Sequence, residues 1–183
     1  MHDTFFTSDL HFFHKKILQL CPTTRKGSSL EEMHELIISK WNETVKVEDH
    51  VYILGDLSLG SPIKTLEILN KLEGNLHLIK GNHDHWITPN TSQRFVEIVD
   101  YKSLKLNGVH LVMFHYPIAE HDRCHSGSYH LHGHTHGNYR VDGRVLDVGI
   151  DNRCQCDMGL WSWEDIVKYM EERPIITHHM YPK

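Results

Sequence analysis

Short hydrophobic runs punctuate the first half of the chain, and each ends in a glycine or a polar group. Residues 3–7 carry Phe5 and Phe6, residues 50–54 read His-Val-Tyr-Ile-Leu, and residues 76–80 read Leu-His-Leu-Ile-Lys. Runs this short, bounded by turn formers, predict buried strands. Between them the apolar spacing widens to three and four. Ser29-x-x-Glu32 followed by Met33, Leu36, Ile37 and Trp41 predicts a capped amphipathic helix, and Ser61-Pro62 opens another that reaches about residue 72. Residues 12–20 predict a helix directly after the first strand. Strand, polar turn and helix repeat in order, which implies parallel strands with right-handed crossovers.

From about residue 97 the pattern changes. Residues 102–106, 109–114, 128–131, 138–141 and 144–149 form short β-rich segments, with Asn107-Gly108 and Asp142-Gly143 as turns. A last helix is predicted over residues 162–172, capped by Ser162-x-x-Asp165. No repeat, low-complexity tract or linker divides the chain, and 183 residues suit a single domain, 1–183, with a sizeable core.

The chemistry collects where the strands end. Asp9 and His11 stand two residues apart after the first strand, close enough in sequence to face one cation. Asp9 reads equally well as an N-cap for the helix expected at 12–20. Asp56 follows Gly55 at the next strand end, and Gly81-Asn82-His83-Asp84 follows the third. There an amide, an imidazole and a carboxylate can bind a cation, move a proton and orient a ring, or simply satisfy a turn. His115 lies in Phe-His-Tyr-Pro, and His134 and His136 alternate with Thr135, so an extended backbone would turn both rings one way. In open α/β sheets, polar groups at the carboxyl ends of strands are where ligands bind.

Composition sharpens this reading. Histidine is over-used, with 18 residues, which favours metal chemistry, although His34 reads as an exposed or half-buried helix residue rather than a ligand and the tail residues His178 and His179 as surface positions. Imidazole, carboxylate and amide together suit Mn, Fe or Zn better than Ca. The net charge of −5 argues weakly against extended nucleic acid as a partner, since no basic face is obvious. No stretch approaches the roughly 20 apolar residues of a membrane span, and Asp3 and Asp9 interrupt the first apolar run. A cytoplasmic protein with reduced thiols is therefore expected. Cys21, Cys124, Cys154 and Cys156 lack zinc-finger spacing, and Cys154-x-Cys156 has no partners at metal-binding distance in sequence. His14, Arg25, Lys26 and Arg123 are candidate anion contacts, each of a type more often simply solvated. Trp86, Tyr116, Tyr129, Trp161 and Trp163 are candidate stacking residues, with core packing as the ordinary alternative.

Taken in order, Asp-x-His, Gly-Asp, Gly-Asn-His-Asp, His and Gly-His-x-His resemble the calcineurin-like metallophosphoesterase superfamily. Thr7 to His11, Val51 to Asp56, His115-Tyr116-Pro117-Ile118, Leu131 to Gly137 and Val148-Gly149-Ile150-Asp151 look like its compact bacterial and phage branch. The resemblance implies an α/β fold in which a two-sheet β-sandwich is flanked by helices. It implies two divalent ions, one held by Asp9, His11, Asp56 and His136, the other by Asp56, Asn82, His115 and His134. His83 would be a nonligand histidine beside the phosphate, oriented by Asp84. Hydroxide between the two ions would then attack the ester, at a centre whose formal charge is about +1 and therefore draws phosphate. Gly55-Asp56-Leu57-Ser58 departs from the Gly-Asp-x-Val-Asp-Arg-Gly of protein phosphatases, so a phosphodiester of a nucleotide, cyclic nucleotide or short nucleic-acid end is the favoured substrate. A phosphomonoester comes second. A noncatalytic binding scaffold is the remaining alternative, disfavoured because every ligand-type position is filled.

Overall fold

The computed structural model describes residues 2–153 and 157–177. Cys154, Cys156, His178 and His179 lie outside these residues. Five strands form the first sheet, in the order β4-β3-β2-β1-β9, with β1 Thr4–Thr7, β2 His50–Ile53, β3 Asn75–Ile79, β4 Phe95–Val99 and β9 Trp161–Ser162. The pairs β1–β2, β2–β3 and β3–β4 are parallel and β9 runs antiparallel to β1. The second sheet has the order β5-β6-β7-β8, with β5 Tyr101–Leu106, β6 Val109–Phe114, β7 Tyr129–His132 and β8 Val145–Asp147. The protein is thus a mixed α/β fold with two sheets flanked by helices.

Alternation along each strand builds the layers. Phe5, Val51, Ile53, Leu76 and Leu78 face one way, onto Met33, Ile37 and Trp41 of α2 (Leu30–Thr44) and onto Ile68 and Leu69 of α3 (Pro62–Leu69). Phe6, Leu54 and Ile79 face the other way and meet Leu111, Met113, Leu131 and Leu146 of the second sheet, with Ile166 and Met170 of α5 (Trp163–Glu171). A period of two therefore serves two cores at once. The caps expected at Ser29, Ser61 and Ser162 form, each hydroxyl accepting a backbone N–H three residues on. Glu32, however, accepts from Ser28 (N 2.7 Å, Oγ 2.5 Å) rather than closing a box with Ser29.

Four expectations are corrected. The helix over 12–20 shrinks to α1 (Ile17–Leu20), because Asp9, His11 and Phe13 adopt positive φ (56°, 51° and 64°) and no α-helix passes through such residues. Asp9 is therefore no N-cap. Residues 138–141 form no strand, being loop between β7 and β8. The parallel β4, reached through the one-turn helix α4 (Pro89–Ser92), belongs to the first sheet although its sequence reads as a change of pattern. His34 is buried, its Nε2 accepting the Phe13 N–H at 3.0 Å. Among the described residues no helix is long and apolar enough to cross a membrane.

Candidate metal centre

The two sheets touch at the carboxyl ends of β1 and β8, where Ser8 bridges to Gly149 and the Ile150 N–H donates to Ser8 O. Into this seam run the loops that follow β1, β2, β3, β6 and β7. The loop after β1 lies along the loop after β2 through Asp9 N–H to Gly55 O, His11 N–H to Asp56 O and Phe12 N–H to Leu57 O, each 3.0 Å. Two glycines permit this closeness. A Cβ on Gly81 would collide with the Asp56 carboxylate, and one on Gly133 with Ser8 Oγ and Asp9 Oδ2. Asp9, His11, Asp56, His134 and His136 all hold positive φ, between 49° and 69°. Backbone of this kind clusters at functional sites and is tolerated best by Asp, Asn and His among non-glycine residues.

Two groups of side chains converge there: Asp9, His11 and His136, and Asp56, His115 and His134. In the first, His11 Nε2 is 3.2 Å from His136 Nε2, 3.8 Å from Asp9 Oδ1 and 3.9 Å from Asp56 Oδ2. His136 gives its Nδ1–H to Asp151 Oδ2 at 2.7 Å, which leaves Nε2 a lone pair. In the second, His115 gives its Nδ1–H to Leu54 O at 2.7 Å, and its Nε2 faces Asn82 Oδ1 at 3.2 Å and Asp56 Oδ1 at 3.6 Å. Asp56 stands between the groups, one carboxylate oxygen toward each.

The donor set fits divalent cations on its own terms. With their Nδ1–H groups committed, His136 and His115 turn Nε2 lone pairs toward the His11 ring and Asn82 Oδ1, an arrangement that a cation among these atoms stabilises. Asp9 Oδ1 is fully buried with no hydrogen-bond partner. Burial, with Asp147 nearby, pushes the Asp9 carboxyl up to about 8, and burial with His136 and Arg25 nearby pushes His11 down to about 2. Both shifts mark groups deprived of water, and a bound cation compensates for that loss on the carboxylate.

The sequence candidates divide accordingly. Asp9, His11, Asp56, Asn82, His115, His134 and His136 are brought together. His83 joins them at the rim, its side chain 43% exposed, with Nε2 3.9 Å from Asp56 Oδ2 and its ring 5.7 Å from that of His11. His14 also lies at the rim, edge-on to His11 at 5.5 Å. Asp84 does not orient His83. Its carboxylate accepts instead from Asp56 N (2.9 Å), Leu57 N (3.0 Å), Gly81 N (2.8 Å) and Trp86 Nε1 (3.0 Å), tying the loop after β2 to the loop after β3. Arg25 is buried and spent on Asp151 (2.8 and 2.6 Å), Leu10 O and Asp9 O, so its guanidinium is closed to phosphate. Lys26 is exposed, its backbone N–H on Met158 Sδ at 3.4 Å. Arg123 binds His110 Nε2 at 2.6 Å, near the start of β6 and about 16 Å along the strand from His115.

Asp147 was missed, and Asp151, quoted only within Val148-Gly149-Ile150-Asp151, was given no role. Asp151 accepts from Arg25, from Thr24 Oγ1 (2.5 Å) and from His136, and these bonds outweigh burial and hold its carboxyl well below the usual range. Asp147 accepts from Thr135 Oγ1 (2.6 Å), Gly137 N (2.8 Å) and Gly149 N (2.8 Å), fixing the loop that carries His134 and His136. The available signal was positional, since both are acids at the end of β8 just as Asp9 and Asp56 are at theirs.

Comparison with known proteins agrees with the geometry. The model of the calcineurin-like phosphoesterase superfamily domain matches residues 5–148, so the chain belongs to that superfamily, a metal-dependent one. An uncharacterized protein of Methanocaldococcus jannaschii is 33% identical over 141 residues, covering 76% of this chain and 72% of that protein. The gene 66 protein of Mycobacterium phage D29 is 30% identical over 205 aligned positions, covering 97% of each chain. Among solved structures, a protein of unknown function from Aquifex aeolicus superposes with a TM-score of 0.72 at 25% identity, covering 92% of this chain and all of that one.

Proposed function

We propose that this phosphoesterase is a dinuclear enzyme that hydrolyses phosphodiesters of nucleotide size: a nucleotide, a cyclic nucleotide or a short nucleic-acid end. The whole chain acts as one domain, because both sheets contribute donors. Asp9, His11, Asp56 and His136 would hold one divalent ion and Asp56, Asn82, His115 and His134 the other. The observation that carries this reading is Asp56, whose two oxygens lie 3.9 Å from His11 Nε2 and 3.6 Å from His115 Nε2, on opposite sides of one carboxylate. Imidazole with carboxylate suits Mn, Fe or Zn.

When bound, such ions supply water nucleophilic near neutral pH and positive charge for phosphate oxygens. The chain's own residues do the rest. His83, exposed at the rim, donates a hydrogen bond or proton to the departing ester oxygen. Its backbone N–H, on Asp56 Oδ1 at 2.9 Å, fixes where the ring begins. His14 sits where it can receive a phosphate oxygen. Asp151 and the Leu54 carbonyl keep His136 and His115 in the tautomer that points Nε2 inward.

The test is metal content of freshly purified protein, followed by turnover of bis-p-nitrophenyl phosphate beside p-nitrophenyl phosphate. Two equivalents of metal and faster diester cleavage are expected. Faster monoester cleavage would move the substrate to a small phosphorylated metabolite or nucleotide. Full metal occupancy without turnover of either would indicate a noncatalytic scaffold.

A further inference from the structure

We infer that the groove beside Asn82 is a base-binding subsite in which the heterocycle of a nucleotide ester stacks on Tyr116. This rests on the phosphodiesterase reading and specifies what that centre selects. The groove has a volume of about 520 Å³ and is lined by Lys80, Asn82, His85, Asp100, Phe114 and Tyr116, so it opens directly from one of the proposed metal donors. A volume of this order lies within the range typical of small-molecule sites and accommodates a nucleoside.

Tyr116 is the reason for choosing a base over another occupant. The residue is 37% exposed, yet its side chain is held from three sides. The hydroxyl donates to Asn82 Oδ1 at 3.3 Å, and the ring meets His115 and His134 edge-on at 4.9 and 4.7 Å. Phe114 backs it at 5.5 Å and Tyr101 continues the row behind Phe114 at 6.3 Å. An aromatic surface left part-open to water and fixed in orientation costs little further entropy when a planar group is laid on it. Around it, His85 is exposed, and Lys80 pairs with Asp100 at 2.7 Å. Such donors and acceptors can meet the polar edge of a heterocycle, which an aliphatic group would not require, and the open aromatic surface matches the flat face of a base. The chain's acidic balance fits a single base better than a polynucleotide track.

Two esters that release the same p-nitrophenolate separate base recognition from chemistry: thymidine 5′-(p-nitrophenyl phosphate) and methyl p-nitrophenyl phosphate, each given to manganese-loaded protein. The thymidine ester should be preferred by about tenfold in kcat/KM, mainly through KM, as expected for one stacked base. Tyr116→Ala should erase the preference and Tyr116→Phe should keep it. No preference in the parent protein, or equal slowing of both esters in Tyr116→Ala, would overturn the subsite. In the second case the ring would act only by supporting Asn82. Calorimetry with thymidine 5′-monophosphate against 2-deoxyribose 5-phosphate gives a readout independent of turnover, and tighter binding of the thymidine compound, lost in Tyr116→Ala, is expected. Were neither ester cleaved while that difference persisted, the phosphodiesterase reading would fall and the subsite would stand. Equal binding of the two compounds would sink the subsite even in an active enzyme.

Discussion

The two halves of the centre use the same donor chemistry at different depths. On the inner side, Asp9 is fully buried, His11 is 4% exposed, and His136 is backed by the buried Asp151–Arg25 pair at 2.6 Å. On the outer side His115 is as buried as the inner donors, but His134 is exposed, Asn82 is half-buried and the Tyr116 groove begins. Burial without water makes a cation hard to lose, because its departure strands a carboxylate. Exposure makes exchange and substrate approach easy. If two ions bind as proposed, the contrast would assign retention to the inner position and access to the outer one.

The comparison breaks most completely at Asp56, which belongs to both sides. Asp56→Asn should lower kcat/KM by roughly 10²- to 10⁴-fold, the several kcal/mol a polarising cation supplies. Metal analysis should show both positions weakened. A variant still holding two equivalents at wild-type affinity would contradict the sharing.

His130 tests the support of the outer side. It lies on β7 before His134, its Nε2 accepts from Ile118 N at 3.0 Å, and its Nδ1–H goes to Val112 O at 3.1 Å. Burial depresses its pKa from 6.5 to about 3. The neutral ring is thus the stabilising form. Its contribution is complete above about pH 6.5 and is lost as the pH falls toward 3, by at most about 5 kcal/mol. Urea midpoints measured across that window should fall steeply for the parent protein and less steeply for His130→Gln. Equal slopes would assign acid sensitivity elsewhere.

Asp151→Asn sharpens the inner side. Losing the carboxylate behind His136 should weaken metal binding there by roughly 10- to 100-fold. In a limiting-chelator time course the parent protein should release metal in a fast outer phase and a slow inner phase, and the variant should lose the slow phase. A single phase in the parent would mean that depth makes no difference. At the small end, Arg123→Ala should leave kcat/KM within about twofold for diester substrates, since a surface change away from the chemistry rarely costs more.

What could be read from the chain alone was what is local. Strand-end donors follow the strands by one to three residues, so Asp9, Asp56, Asn82 and His115 were visible from the hydrophobic pattern, and the resemblance supplied their pairing. Asp84 stands beside His83 in sequence and was assigned to it, yet its oxygens go to backbone N–H groups on a loop 27 or 28 residues earlier. Arg25 looked like a loose loop cation, but its partner Asp151 is 126 residues away. Such partners are set by tertiary contact, which no local period encodes. The two-residue β9 and the left-handed backbone at residues 9–13 failed for a similar reason, because β9 is defined only by pairing with β1, and the loop by its bonds to residues 55–57.

The left-handed backbone at five of the donors ties this chemistry to the fold more tightly than side-chain identity does. Each such residue carries a conformational cost of about 1–2 kcal/mol that glycine would not incur. If catalysis ceased to matter, drift at these positions should therefore favour glycine and asparagine over alanine. A relative carrying glycines there would be recognisable as a retired enzyme whose chain path still follows the shape its lost cations once rewarded.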